Sequence, residues 1–207
     1  MVDVQYVKEI SSGIAFVLTF ALFVPYIRST KRRETVPHVF SWVVWGFGTF
    51  VVFLAQLADG GGIGAWPIGF SACVSAYIAV LAYSERRSIR IVRQDWTLFG
   101  LAMLAIPGWT IASDPFWAVL CLTIADLLGF GPTLRKAWHN PYQEHLGFFV
   151  LGGVRNLFVV AALEHYSWTT LLFPVAVGAS CLLMGAFLAV RRAAIPSELL
   201  SSNKAGA

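Results

Sequence analysis

The sequence predicts an all-α integral membrane protein, with seven transmembrane helices in a 3+1+3 arrangement of two parallel three-helix bundles. Three observations carry this. First, hydrophobic residues make up 57% of the 207-residue chain and charged residues only 13%, with a mean hydropathy of +0.70. A soluble domain has about 25% charged residues. Second, apolar runs of membrane-spanning length alternate with loops that are basic on one side only. Third, the chain matches itself at an offset of 107 residues.

A helix crossing the hydrocarbon needs about 20 apolar residues. Spans of that kind fall at 8–28, 38–57, 63–84, 96–113, 115–136, 145–163 and 168–190. The first opens near the N-terminus but has no small-residue cleavage site, so it reads as a retained helix rather than a signal peptide. The fourth and fifth meet at "ASDP", Ala112 to Pro115, where Asp and Pro break a helix. The first loop holds Arg28, Lys31, Arg32 and Arg33, and the third holds Arg86, Arg87, Arg90 and Arg93. The fifth holds Arg135 and Lys136, and the tail begins with Arg191 and Arg192. The second, fourth and sixth loops hold no Lys or Arg. This alternation requires an odd number of spans, with the N-terminus outside the cell (inner) membrane and the C-terminus in the cytoplasm. It also accounts for the net charge of +4 without nucleic acid. Trp66, Trp96, Trp109, Trp117, Trp138 and Trp168 near span ends fit interfacial belts. The three cysteines, Cys73, Cys121 and Cys181, all lie in apolar segments, without metal-ligand spacing, and read as space-filling residues.

In the duplication, Phe23 falls on Phe130, Pro25 on Pro132, Arg28 on Arg135, His38 on His145 and Pro67 on Pro174. Matches among rare residue types in one register outweigh scattered apolar ones. Residues 1–86 form the first bundle, 87–114 a basic loop and linker helix, 115–193 the second bundle and 194–207 a cytoplasmic tail. An odd linker helix keeps the two copies parallel, related by an axis along the membrane normal.

This plan, with its matched prolines at Pro25 and Pro132, resembles the SWEET and SemiSWEET transporters and the wider PQ-loop superfamily, most closely its bacterial branch. The resemblance covers nearly the whole chain as architecture. The Pro-Gln pair behind the PQ-loop name reads Pro25-Tyr26 and Pro132-Thr133 here. The asparagines that sugar-transporting relatives share on the third and seventh helices read Pro67 and Pro174. The resemblance therefore implies the scaffold and alternating access, with a solute other than an unmodified sugar.

Only two charges lie deep in the spans, Asp126 on the fifth and Arg155 on the sixth. Each is about ten residues from the cytoplasmic end of its helix, roughly 15 Å deep at 1.5 Å per residue. A lone charge there costs at least about 3 kcal/mol, so the two are expected to pair or to share one wet cavity. The alternatives are a structural ion pair, and a site in which Arg155 meets a substrate carboxylate or phosphate or Asp126 carries a proton. The first copy has Thr19 opposite Asp126, Gly48 opposite Arg155 and Thr49 opposite Asn156. A bundle that folds without the charges favours the functional alternative. The expected substrate-binding set is Arg155, Asn156, Asp126, Thr49, Trp45 and Trp42, although bundle packing accounts for the two tryptophans at least as well. Pro25 and Pro132 are candidate hinges, with a static kink as the alternative. His38 and His145 at the cytoplasmic mouth read as helix-start caps, and Glu164 and His165 as a solvated outer turn.

The expected function is a membrane transporter for a small polar or anionic solute, with proton coupling through Asp126 as an option. Its partners are then a small-molecule solute and the lipid bilayer, with association between copies of the chain left open. The alternative is a seven-helix ligand sensor or a membrane-complex assembly protein. A Schiff-base photosensor is excluded, because Lys8, Lys31, Lys136 and Lys204 place no amine in the bundle interior. No enzyme is expected: metal-ligand spacing, a G-x-S-x-G motif and a carboxylate pair at one depth are all missing. No cofactor or metal is implied.

Overall fold

The computed structural model describes residues 4–32, 39–84, 93–104, 107, 111–139, 141–144 and 146–195. Most of these residues are helical, joined by short turns, with no strand among them. The α-helices are α1 (Val4–Lys31), α2 (Val39–Ala58), α3 (Trp66–Ser84), α4 (Arg93–Met103), α5 (Pro115–His139), α6 (Leu146–Ala162) and α7 (Trp168–Ala194). Short 3-10 turns at Gly62–Ala65 and Pro141–Gln143 precede α3 and α6. Three segments, Val4–Lys31, Gly62–Ser84 and Trp168–Ala194, are long and apolar enough to cross a membrane. Trp42–Ala58, Pro115–Leu128 and Leu146–Ala162 are shorter apolar helices.

Helix ends follow local chemistry. Asp114 accepts a hydrogen bond from the Phe116 amide at 2.9 Å and Pro115 opens α5, so the expected break at "ASDP" is a capped helix start. Ser113 there takes φ 53°. Ser167 caps α7 through a capping box with Thr170. The glycine turn after α2 needs left-handed backbone at Gly60 (φ 75°) and Gly62 (φ 59°). The fourth span, expected at 96–113, is an α-helix from Arg93, and residues 105–106 and 108–110, Trp109 included, lie outside the described residues.

The packing forms a ring. α3 packs against both α1 and α2, and α7 against both α5 and α6. Two seams close it: α1 lies along α6, and α2 along α5, with α4 against α2 and α5. Burial is turned inside out relative to a soluble bundle. Val17, Val80, Leu183 and Val190 are mostly exposed, while Thr19, Gln56, Arg155, Asn156 and Thr170 are buried. Water would favour the reverse, whereas lipid places polar groups inside. The chain is that of a helical membrane protein.

Close approach of α6 and α7 sets the position of the sixth helix. A Cβ on Gly152 would meet the Cys181 sulfur at 3.2 Å, and one on Gly178 would meet the Asn156 Cβ at 2.8 Å. Small residues at such a contact let backbones come together.

Candidate functional site

With the glycine face of α6 against α7, Arg155 is carried to the α1–α6 seam. It is 6% exposed and held on several sides. Its Nε donates to the Thr19 hydroxyl at 3.0 Å. Its Nη2 donates to the Pro67 carbonyl at 2.7 Å and the Ser71 hydroxyl at 2.6 Å. Its Nη1 reaches the Asn156 carbonyl oxygen at 3.5 Å. The acceptors are themselves anchored. Thr19 donates to the Ala15 carbonyl at 2.7 Å, Ser71 to the Pro67 carbonyl at 3.0 Å, and the Asn156 amide to the Gly152 carbonyl at 2.8 Å. The charge thus sits among neutral acceptors on three helices.

Asp126 lies at the other seam. There, a small crevice is lined by Trp45, Gly48 and Thr49 of α2, Leu122 and Asp126 of α5, and Phe173 of α7. The space open to the centre of a water-sized sphere is about 10 Å³, room for roughly one water. Asp126 is half-buried, and among the described residues it forms no hydrogen bond or ion pair. Arg155 does not line the crevice. The expected pairing of Asp126 with Arg155, or their sharing of one cavity, is therefore corrected: equal depth on neighbouring spans did not bring them to the same seam.

The expected set divides accordingly. Thr49 and Trp45 join Asp126 at the crevice. Asn156 is buried beside Arg155 and bonded to its own helix. Trp42 is buried near the start of α2. Its indole donates to the Tyr26 hydroxyl at 3.3 Å, and its ring lies 5.0 Å from that of Tyr26 and 6.2 Å from that of Phe23. This is packing. Pro25 lies within an uninterrupted α1. Pro132 falls inside α5, its side chain outside the described residues, as His38 and His145 are altogether.

Sequence reasoning missed a second cluster, where the α2–α3 and α6–α7 connections meet. Glu164 and His165 do not form a merely solvated turn; they tie the two halves of the ring together. The Glu164 carboxylate accepts from the Ile63 amide at 3.1 Å, and its backbone amide donates to the Gly61 carbonyl at 3.2 Å. Lys8 donates to the Glu164 carbonyl at 3.3 Å. His165 Nδ1 lies 2.9 Å from the Asp59 carbonyl, and the Ser167 hydroxyl donates to the Asp59 carboxylate. Deeper in, the fully buried Gln56 donates to the Thr170 carbonyl at 2.8 Å, while its own carbonyl oxygen has no partner. The signal was present: Gln56 is an uncharged polar residue inside an apolar span, with Leu163 at the equivalent place in the other copy.

At the opposite end of the helices, Arg191 and Arg192 do more than add charge to the last turn of α7. Arg191 lies over the Trp138 ring at 4.4 Å. Arg192 donates to the Pro141 and Glu144 carbonyls at 3.2 and 2.6 Å. They fasten the α5–α6 loop to α7. No group of three or more His, Cys, Asp or Glu side chains suited to a metal occurs among the described residues. No protein-family model, curated protein or solved structure matches the chain.

Proposed function

We propose that the protein is a membrane transporter for a small polar solute, in which two three-helix units rock against each other across the seam that holds Asp126. The observation that carries this reading is the inequality of the two seams. The α1–α6 seam is filled by Arg155 and its acceptors, whereas the α2–α5 seam holds a crevice with an unpartnered carboxylate, a hydroxyl and an indole. Transporters built from repeated units bind solute at the repeat interface near the bilayer midplane, the depth at which Asp126 stands. The units are residues 1–86 and 115–193, joined through the linker helix, with the N-terminus outside the inner membrane. Pro25 and Pro132 serve as hinges in this scheme.

The site favours a polar solute over an anion. Arg155, the cation an anion would need, already has its donors engaged by Thr19, Ser71, Pro67 and Asn156. Asp126 is the group through which a proton would be coupled. The test is uptake by proteoliposomes over a panel of small solutes, with and without a pH gradient. Saturable uptake that is lost in Asp126→Asn supports the reading. A panel with no uptake at all sinks it, and stable co-purification of one protein partner would then favour an assembly role.

A further inference from the structure

The ring of helices relates its two seams by exchange. α1 corresponds to α5, α2 to α6 and α3 to α7, so the α1–α6 seam corresponds to the α2–α5 seam. In the 107-residue register, the residues around Arg155 then have definite counterparts. Arg155 becomes Gly48 and its acceptor Thr19 becomes Asp126. Pro67 and Ser71 become Pro174 and Gly178. The crevice lined by Gly48 and Asp126 is thus the counterpart of the guanidinium site. One seam has an internal cation surrounded by neutral acceptors. The other has an internal anion and, where the arginine would spring from the helix, a glycine.

Space agrees with this. A Cβ on Gly48 would point at Leu122 of α5, meeting its Cδ2 at 3.1 Å, so a side chain grown there heads into the seam, as Arg155 heads toward α1. The unsatisfied polar groups agree as well. Among the described residues, Asp126 accepts no hydrogen bond, the Thr49 hydroxyl makes none, and the buried side-chain oxygen of Gln56 has no donor. Gln56 lies seven residues from Thr49 on the same face of α2, about 10 Å further out. Asp126 and Thr49 thus offer acceptors at this seam while the donors of Arg155 are used at the other.

We infer that the α2–α5 crevice binds the head group of a small organic cation, a guanidinium or primary ammonium, on Asp126, with Arg155 in the opposite seam as its tethered structural analogue. This rests on the transport reading and names the solute class for the same site. The crevice as it stands holds about one water, so the head group enters as the seam parts. An ion pair with Asp126 offsets the cost of a lone carboxylate at that depth.

Purified full-length protein is titrated with methylguanidinium, methylammonium and methylurea, which is nearly isosteric with methylguanidinium but neutral. Thermal stability and competition for uptake are read together. The cations are expected to raise the melting temperature and methylurea to leave it unchanged. Asp126→Asn should weaken cation binding by at least about tenfold. Gly48→Arg should remove binding by placing a tethered guanidinium on Asp126. Equal response to methylurea and methylguanidinium, or undiminished cation binding in folded Asp126→Asn, overturns the cation assignment and leaves transport standing. Cation binding without uptake of any solute upholds the site and overturns transport. No stabilisation of wild-type protein by either cation overturns the inference without recourse to any variant.

Discussion

Arg155 shows how far a residue can be read from the chain alone. Its place inside an apolar helix was legible, because that depends only on position along the chain. Its direction was not, because the azimuth of a helix is fixed by neighbours, here by Gly152 and Gly178 packing α6 onto α7. The network has an asymmetric consequence for mutation. Thr19 and Ser71 donate to the Ala15 and Pro67 carbonyls, bonds in which Arg155 takes no part. Arg155→Met is therefore expected to be nearly neutral to stability, since it leaves no orphaned donor and fills the space. The double variant Thr19→Val with Ser71→Ala keeps the charge and removes its two hydroxyl acceptors, and should lose about 3 kcal/mol. Thermal unfolding in detergent compares the two; equal losses would mean that the network contributes no more than the charge it shelters.

At the scale of elements, the helices fall close to the apolar runs, because span length and loop charge are one-dimensional properties. α1 and α7 extend beyond their expected ends, at Val4 and Ala194, since helix hydrogen bonding continues past the apolar stretch. Glycines that look alike in sequence divide sharply in space. A Cβ on Gly64 would lie 2.5 Å from the Leu163 amide nitrogen, against backbone that cannot swing aside, whereas Gly13 has nothing within 4 Å. Gly64→Ala should cost about 1–3 kcal/mol, and Gly13→Ala should gain about 0.5–1 kcal/mol from reduced backbone freedom. Melting temperatures moving in opposite directions would check the contact between the α3 entrance and α6. Ser167 both caps α7 and holds Asp59. Ser167→Ala should therefore lose more than the roughly 1 kcal/mol of a cap alone, by the same measurement.

For the whole molecule, the 107-residue duplication led us to expect two matched units; in the structure α3 lies against α1 and α2, α7 lies against α5 and α6, and α1–α6 and α2–α5 contacts run between them. The ties between the α2–α3 and α6–α7 connections were not legible, because Asp59, Gly61 and Ile63 meet Glu164, His165 and Ser167 only once the ring is closed. Those ties hold one end of the ring shut. A disulfide between cysteines placed at Asp59 and Ser167 should stop uptake in proteoliposomes, and reduction should restore it. Uptake unaffected by the closed disulfide would show that solute passes without parting this end. Orientation has its own check. Cysteine at Ser167 should be labelled by an impermeant maleimide in intact cells and cysteine at Ser84 should not, in a background with the native cysteines replaced.

Trp42 and Trp45 lie with ring centres 5.4 Å apart and planes at 84°, one sealed in packing and the other facing the crevice. Two indoles at that separation form a coupled pair of chromophores. Their near-ultraviolet circular dichroism depends on the angle between them, and such bands vanish when fixed packing is lost. Parting of the α2–α5 seam that turned Trp45 and left Trp42 in place would change that signal. The protein thus carries an optical gauge of its own seam, readable without a label and removed by Trp45→Phe.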